Sequence, residues 1–206
     1  MSYRLLIKPA LDKLLAASAL VALAPLFGYL YCKIRMEDAG PIFYKHPRVG
    51  KGGRHFVCLK FRTMVPDADR LMDRWRDSAD ERWLEFERSN FKLKSDPRVT
   101  RIGKTLRRYS LDELPQLWNI LKGEMSFVGP RPVTAPELSL YGEAVKKYLS
   151  LVPGLTGKWQ VSGRSDTSFD FRVRCDVAYF EAISAWADFG IILRTVSVVL
   201  KGSGSY

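Results

Sequence analysis

Two adjacent acids, Asp112 and Glu113, are the residues best placed to do chemistry, because basic side chains crowd the sequence around them. Arg107 and Arg108 lie just upstream, and Gly129-Pro130-Arg131-Pro132 brings another guanidinium on a rigid turn downstream. An ionised aspartate among arginines can attack a phosphorus atom or hold Mg²⁺ while the cations absorb phosphate charge. That is phosphoryl-transfer chemistry. Ser110-Leu111-Asp112-Glu113 also fits an S-x-x-E capping box. Ser110 would be the N-cap and Glu113 the N3 residue of a helix running to about Lys122 and stopping at Gly123. Alone, such a box does no more than satisfy a helix start. Both the helix dipole and the arginines favour the charged form of Asp112, predicting a carboxylate at neutral pH.

The elements that must position this pair are legible around it. From Pro41 to Met64 the chain reads as a hairpin, Ile42 to Val49 and Arg54 to Met64 about the turn Gly50-Lys51-Gly52-Gly53. Period 2 puts Lys60 and Arg62 on one face of the second strand, where two cations could grip a phosphate or simply face solvent. Pro66 to Asn90 carries Leu71, Met72, Trp75, Trp83 and Phe86 at helical spacing, predicting one amphipathic surface helix. Pro153 to Arg164 is punctuated by glycines and reads as loop. From about Val173 to Lys201 the chain turns helical and aromatic. Asp176, Glu181, Asp188 and Arg194 interrupt it too often for a span. It suits a helix in a membrane interface or one in a core.

Composition bounds the partners. The chain has 206 residues, 47% hydrophobic and 12% aromatic, enough for a core and too much for intrinsic disorder. Thirty-three Lys and Arg against 22 Asp and Glu give a formal charge of +11, which points to an anionic partner. Three scattered cysteines, Cys32, Cys58 and Cys175, suit a reducing compartment, and two histidines make no His/Cys metal site readable, so a metal would sit on oxygen ligands.

Leu14 to Cys32 carries no formal charge, and as a helix it would be roughly 28 Å long, about one hydrocarbon thickness. It is long for a signal-peptide core and lacks an A-x-A cleavage site. Cations flank both ends (Arg4, Lys8 and Lys13; Lys33 and Arg35), so the positive-inside rule gives no orientation. Pro25 near the middle removes a backbone hydrogen bond. A kinked span and a re-entrant helix-break-helix fit equally well.

The Pro-broken N-terminal helix, KFRTM (Lys60 to Met64), DPRVTRIG (Asp96 to Gly103), SLDELPQLWNILKGEMSFVGPRP (Ser110 to Pro132) and PGLTGKWQVSGR (Pro153 to Arg164) together resemble the bacterial sugar transferase family. These are monotopic polyprenyl-phosphate phosphoglycosyl transferases, and the match covers nearly the whole chain. The resemblance implies an α/β fold, mainly helical with a small β-hairpin or sheet. It implies a re-entrant membrane helix over 1–36 with its break near Pro25, and a catalytic domain with interfacial helices over 37–206, on the cytoplasmic face of the bacterial inner membrane. It implies transfer of a sugar-1-phosphate from a UDP-sugar to undecaprenyl phosphate with Mg²⁺ and release of UMP. Asp112 would be the nucleophile forming a phosphosugar-aspartyl intermediate. Glu113 would assist through Mg²⁺ or proton handling, and both acids would ligate the metal. Arg107 and Arg131 match phosphate-contacting arginines, and Lys60 and Arg62 an active-site strand. Gln160 and Arg164 fall in the motif that would contact nucleotide or sugar, although Arg164 reads equally as a surface arginine.

Two positions depart from the family pattern. Many members place Ser before the kink proline where this chain has Ala24, so the break would lean on Pro25 and Asp12. His46, often Gln in the family, is given no chemical role. The variant GRSDTSFDFRV points to galactose-1-phosphate or glucose-1-phosphate for O-antigen, capsule or exopolysaccharide synthesis, with an N-acetylated or modified UDP-sugar as the alternative. Larger members carry further N-terminal membrane helices, which leaves this chain either a minimal unit or a piece of a longer one. It is compatible with a monomer or a homodimer. A non-catalytic basic membrane-tethered module would need cations spread over a face with stacking aromatics. Here they bracket carboxylates, which repel a nucleic-acid backbone, and the membrane segment favours a lipid acceptor over the water of a nucleotide-sugar hydrolase.

Overall fold

The computed structural model describes residues 3–88, 93, 95–163 and 168–200. It is mainly helical, with two small two-stranded sheets. After a π-helical turn at Tyr3–Ile7, helix α1 (Lys8–Ala22) and helix α2 (Ala24–Glu37) meet at Leu23 with a bend of 62°. Leu23 closes α1 through its N–H to Ala19 O, and Pro25 sits in the first turn of α2, where a missing N–H costs nothing. No single helix among the described residues is long and apolar enough to cross a membrane, and only the bent pair together meets the length and composition required.

The hairpin lies where its pattern places it. Strands β1 (Phe43–Val49) and β2 (His55–Phe61) pair antiparallel, Tyr44 opposite Lys60 and Val49 opposite His55. The link is a 3-10 turn over Lys51–Gly53 whose Gly52 has φ 68°, a left-handed conformation that favours glycine.

The surface helix breaks in two: α3 (Ala68–Asp77) and α4 (Glu81–Arg88), separated by Ala79 at φ 49°. The bend folds α4 back so that the Arg82 guanidinium lies 4.7 Å from the ring centre of buried Trp75. Helix α5 (Arg101–Arg108) follows, capped by the Thr100 hydroxyl, which accepts from Gly103 N. Helix α6 (Gln116–Lys122) ends at Gly123 with φ 80°, the predicted stop.

The segment from Pro153, expected to be loop, contains a strand. Strand β4 (Gly154–Thr156) pairs parallel with β3 (Ser126–Val128). The glycines are there for close approach: a Cβ on Gly154 would lie 2.1 Å from Gly129 N. Between them lie α7 (Ala135–Ser139) and α8 (Val145–Leu149). The C-terminal helical region is likewise two helices, α9 (Phe169–Glu181) and α10 (Ala185–Leu200). Tyr179 and Ile191 are buried, whereas Trp186, Phe189, Leu193 and Val196 on α10 are exposed.

Two core clusters frame the site. Ala16 of α1, Cys58 of β2, and Leu117 and Ile120 of α6 pack together, as do Leu30 and Ile34 of α2, Phe61 of β2 and Leu106 of α5. The Asn119 side chain, fully buried on α6, completes the edge of β2: Oδ1 accepts from Leu59 N at 3.0 Å and Nδ2 donates to Val57 O at 2.7 Å. These bonds fix the strand on either side of position 58 and so aim the next outward cation, Lys60.

Candidate active site

Asp112 and Glu113 stand on a single 3-10 turn, Leu111–Glu113, and not on the first turn of an α-helix. The capping-box expectation fails because Ser110 adopts the left-handed conformation, φ 54° and ψ 24°, and its side chain caps nothing. Pro115 then enters α6 with its fixed φ. The tight turn projects two consecutive carboxylates toward the end of β2. Lys60 Nζ meets both, 2.7 Å from Glu113 Oε1 and 3.7 Å from Asp112 Oδ2. Arg131, on the turn after β3, comes within 3.9 Å of Glu113 Oε1.

Arg107, in the last turn of α5, is half-buried and donates from Nε to Thr63 Oγ1 at 2.9 Å. Its charge acts on Asp112. Of the four cations assigned to phosphate, Lys60, Arg107 and Arg131 are thus brought around the acids. Arg62 is not. It lies just beyond β2, 7% exposed, in a two-pronged ion pair with Asp38, and also donates to the carbonyls of Pro41 and Met64. Its guanidinium ties the end of α2 to the hairpin.

The electrostatics also differ from the sequence expectation. Burial pushes the Asp112 carboxyl above the ordinary value, with Lys60 acting against the rise, Glu113 adding to it and Arg107 opposing it. Desolvation therefore outweighs the neighbouring cations, and no helix dipole stands behind the carboxyl to oppose it.

Several residues around the site were not singled out by the sequence. The Glu137 carboxylate takes Arg48 Nη1 at 3.0 Å and lies 3.7 Å from Arg172 Nη1. It also closes a capping box with Thr134. That T-x-x-E was readable in sequence; its arginine partners, 89 positions before and 35 after, were not. Arg48 Nη2 stands 3.2 Å from His46 Nδ1. Burial first, and then the Arg48 charge, push the His46 imidazole below its usual value, and because a guanidinium can only donate, Nδ1 is the acceptor of this bond. Arg172 covers the Trp159 ring at 4.4 Å, and Arg131 lies 5.9 Å from the same ring centre. Gln160 donates from Nε2 to Leu155 O at 3.0 Å, serving the local turn, and Arg164 lies outside the described residues.

The family model for bacterial sugar transferases matches residues 3–202. The chain belongs to the bacterial sugar transferase family. Among curated members of the family, the exopolysaccharide production protein ExoY of Sinorhizobium fredii is 48% identical over 199 residues, covering 97% of this chain and 88% of that protein. The undecaprenyl-phosphate galactose phosphotransferase of Salmonella typhimurium is 43% identical, over 97% of this chain and 42% of its own length. The UDP-glucose:undecaprenyl-phosphate glucose-1-phosphate transferase of Xanthomonas campestris is 36% identical, over 100% of this chain and 41% of its own length. The chain thus spans nearly all of one relative and about two fifths of the other two.

Proposed function

We propose that the protein transfers hexose-1-phosphate, from UDP-galactose or UDP-glucose, to undecaprenyl phosphate as a membrane step of exopolysaccharide, capsule or O-antigen synthesis. The observation that carries this reading is the Asp112–Glu113 turn held against Lys60 among Arg107 and Arg131, in a family whose curated members bear those two activities.

In the proposed reaction an Asp112 carboxylate oxygen attacks the phosphorus bearing the sugar. The bond from that phosphorus to the bridging oxygen breaks, and UMP leaves with the electron pair. A phosphate oxygen of undecaprenyl phosphate then attacks the phosphosugar-aspartate, returning the Asp112 carboxylate and giving the lipid diphosphate-sugar. Lys60 and Arg131 face the charge that collects on the transferring and leaving oxygens, where fixed cations in a partly buried site act most strongly. The donor set suits Mg²⁺, which takes one or two carboxylates and fills its remaining positions with water and substrate phosphate. Asp112 and Glu113 supply that number, and among the described residues no group of three or more His, Cys, Asp or Glu offers a closed cage. Bound there, the ion would neutralise phosphate charge.

The same reading takes residues 1–36 as a re-entrant element resting on the cytoplasmic leaflet, with 37–206 as the catalytic body. Supporting it are the 62° bend and the exposed Leu14, Leu15, Val21 and Tyr29. So are the cations at both ends of the pair and the exposed aromatic face of α10.

The test is UMP release from a panel of UDP-sugars with Mg²⁺ and detergent-dispersed undecaprenyl phosphate. The expected result is lipid-dependent release with one or both hexoses, lowered roughly 10³-fold or more in Asp112→Asn, as when a nucleophile is removed. Equal release without lipid would make the protein a hydrolase and overturn the reading.

A further inference from the structure

Next to Arg131 the chain assembles more positive charge than its own acids neutralise. Arg48 and Arg172 converge on the single carboxylate of Glu137, which its own Thr134 backbone N–H and hydroxyl hold in place at 2.8 and 3.0 Å. Arg48 and Arg172 are mostly buried, their side chains 13% and 21% exposed. Burial first, and then the charge of Arg131, make both guanidiniums harder to keep protonated. Around the site, Lys60, Arg48, Arg98, Arg107, Arg131 and Arg172 face Asp96, Asp112, Glu113, Glu137 and Asp176, six cations against five acids, and burial pushes the carboxyls of Asp112 and Asp176 up.

Two donors in the cluster are also left without partners. Among the described residues, Arg172 Nε and the Nε1–H of Trp159, a residue 6% exposed, are buried with no hydrogen-bond acceptor. Buried guanidiniums in excess of their counter-ions, with orphaned donors beside them, are costly unless an anion completes the set. Guanidiniums match the oxygens of a phosphate through paired N–H bonds, and a fixed fork loses little freedom on binding.

We propose that Arg48, Arg131 and Arg172 form a phosphate seat beside the carboxylate pair, and that Glu137 is the positioning residue that braces Arg48 and Arg172 toward it. The seat rests on the transferase reading for the source of its phosphate, which is either the nucleotide or the lipid acceptor. Glu137 itself repels an anion, so its contribution is to orientation alone. Shortening or neutralising it should loosen the arginines without removing their charge.

The experiment uses the full chain in detergent. UMP affinity is measured by titration calorimetry and the KM for undecaprenyl phosphate by turnover, in wild type, Arg172→Gln, Glu137→Gln and Glu137→Asp. Arg172→Gln should weaken phosphate binding on the order of ten-fold or more, the scale of a lost charge-assisted hydrogen bond. Glu137→Gln should weaken it too, and Glu137→Asp should recover part, with KM moving more than kcat in each. A change in UMP affinity assigns the seat to the nucleotide; a change confined to the acceptor KM assigns it to the lipid phosphate. If both are unchanged in variants that melt with the wild type, the seat is refuted.

Phenylglyoxal modification of the wild-type protein, mapped by mass spectrometry, needs no variant to fold. UMP or undecaprenyl phosphate should shield Arg48, Arg131 and Arg172, and lack of shielding by either refutes the seat. Shielding by UMP in a protein that turns over no sugar would leave the seat standing while the transferase reading falls. Normal turnover without shielding would do the reverse.

Discussion

Lys60 carries two duties at one atom. Its ammonium bonds Glu113 and stands close enough to Asp112 to oppose the rise that burial imposes on that carboxyl. Replacing it by Met leaves Arg107 as the remaining charge set against desolvation and Glu113, so the Asp112 pKa rises further and the acidic limb of the kcat/KM profile should move to higher pH. Activity at neutral pH should also fall on the order of 10²-fold with the lost phosphate charge; the paired pH profiles decide both points. Asp176, in the field of Arg172, offers a second test, read through stability. Buried on α9, with Tyr141 OH the one donor to it among the described residues, at 2.7 Å, it is pushed by desolvation from 3.8 to about 7. The folded state therefore holds a proton there that the unfolded chain has already lost. This site's contribution is full below about pH 4 and is lost as pH rises through 7, by up to about 1.4 kcal/mol per unit. Asp176→Asn should flatten the fall in melting temperature across that window relative to wild type. At this scale the sequence was informative where neighbours in the chain are neighbours in space: Asp112, Glu113, Arg107 and the Gly123 stop were all readable. Arg62 was not, because alternation along a strand assigns it a face while only the fold brings Asp38 to it. Arg48, Glu137 and Arg172 meet across more than a hundred positions, and no local pattern joins them.

Among the elements, α5 and the two sheets set the tolerances of the site. Gly103 lies where α5 crosses the end of the hairpin strand, and a Cβ there would fall 2.1 Å from the Thr63 carbonyl oxygen. The Gly103→Ala variant must lift α5 from the strand, at about 1–3 kcal/mol or more. Arg107 rides on the same helix and bonds Thr63, so the stability loss should come with a loss of activity. Melting curves and UMP assays on one preparation measure the two together, and a stable, active variant would contradict the packing. The same scale explains what pattern reading misplaced. Ala79 and the residues after Glu181 interrupt runs whose apolar spacing continues on both sides, so each pair of helices reads as one. Strands of three residues carry no period of their own, and the pairing of Ser126–Val128 with Gly154–Thr156 is a long-range contact that only the crowding of Gly129 on Gly154 reveals.

For the molecule as a whole, apolar side chains of the N-terminal pair and of α10 remain uncovered. Trp186 and Phe189 are 83% and 53% exposed. If this face rests in lipid, the double substitution Trp186→Glu with Phe189→Glu should release protein from sedimented vesicles, since each ring contributes about 1.5–3 kcal/mol when buried. Its melting temperature in detergent should not change, and retention on the vesicles would argue against the interfacial placement. The body and the N-terminal pair are also bonded to one another. Asp12 accepts from Ser126 Oγ at 2.6 Å, and Tyr3 and Lys8 both reach Asp188 Oδ2, at 2.7 and 2.6 Å. Ser126 opens β3, which leads by way of Gly129 to Arg131, so the N-terminal helix is moored three residues upstream of the turn that shapes the active site. An enzyme built this way has no free-standing catalytic half. Deleting the N-terminal pair would therefore unmake the reaction centre rather than set it loose, because the strand that leads to Arg131 would lose its mooring.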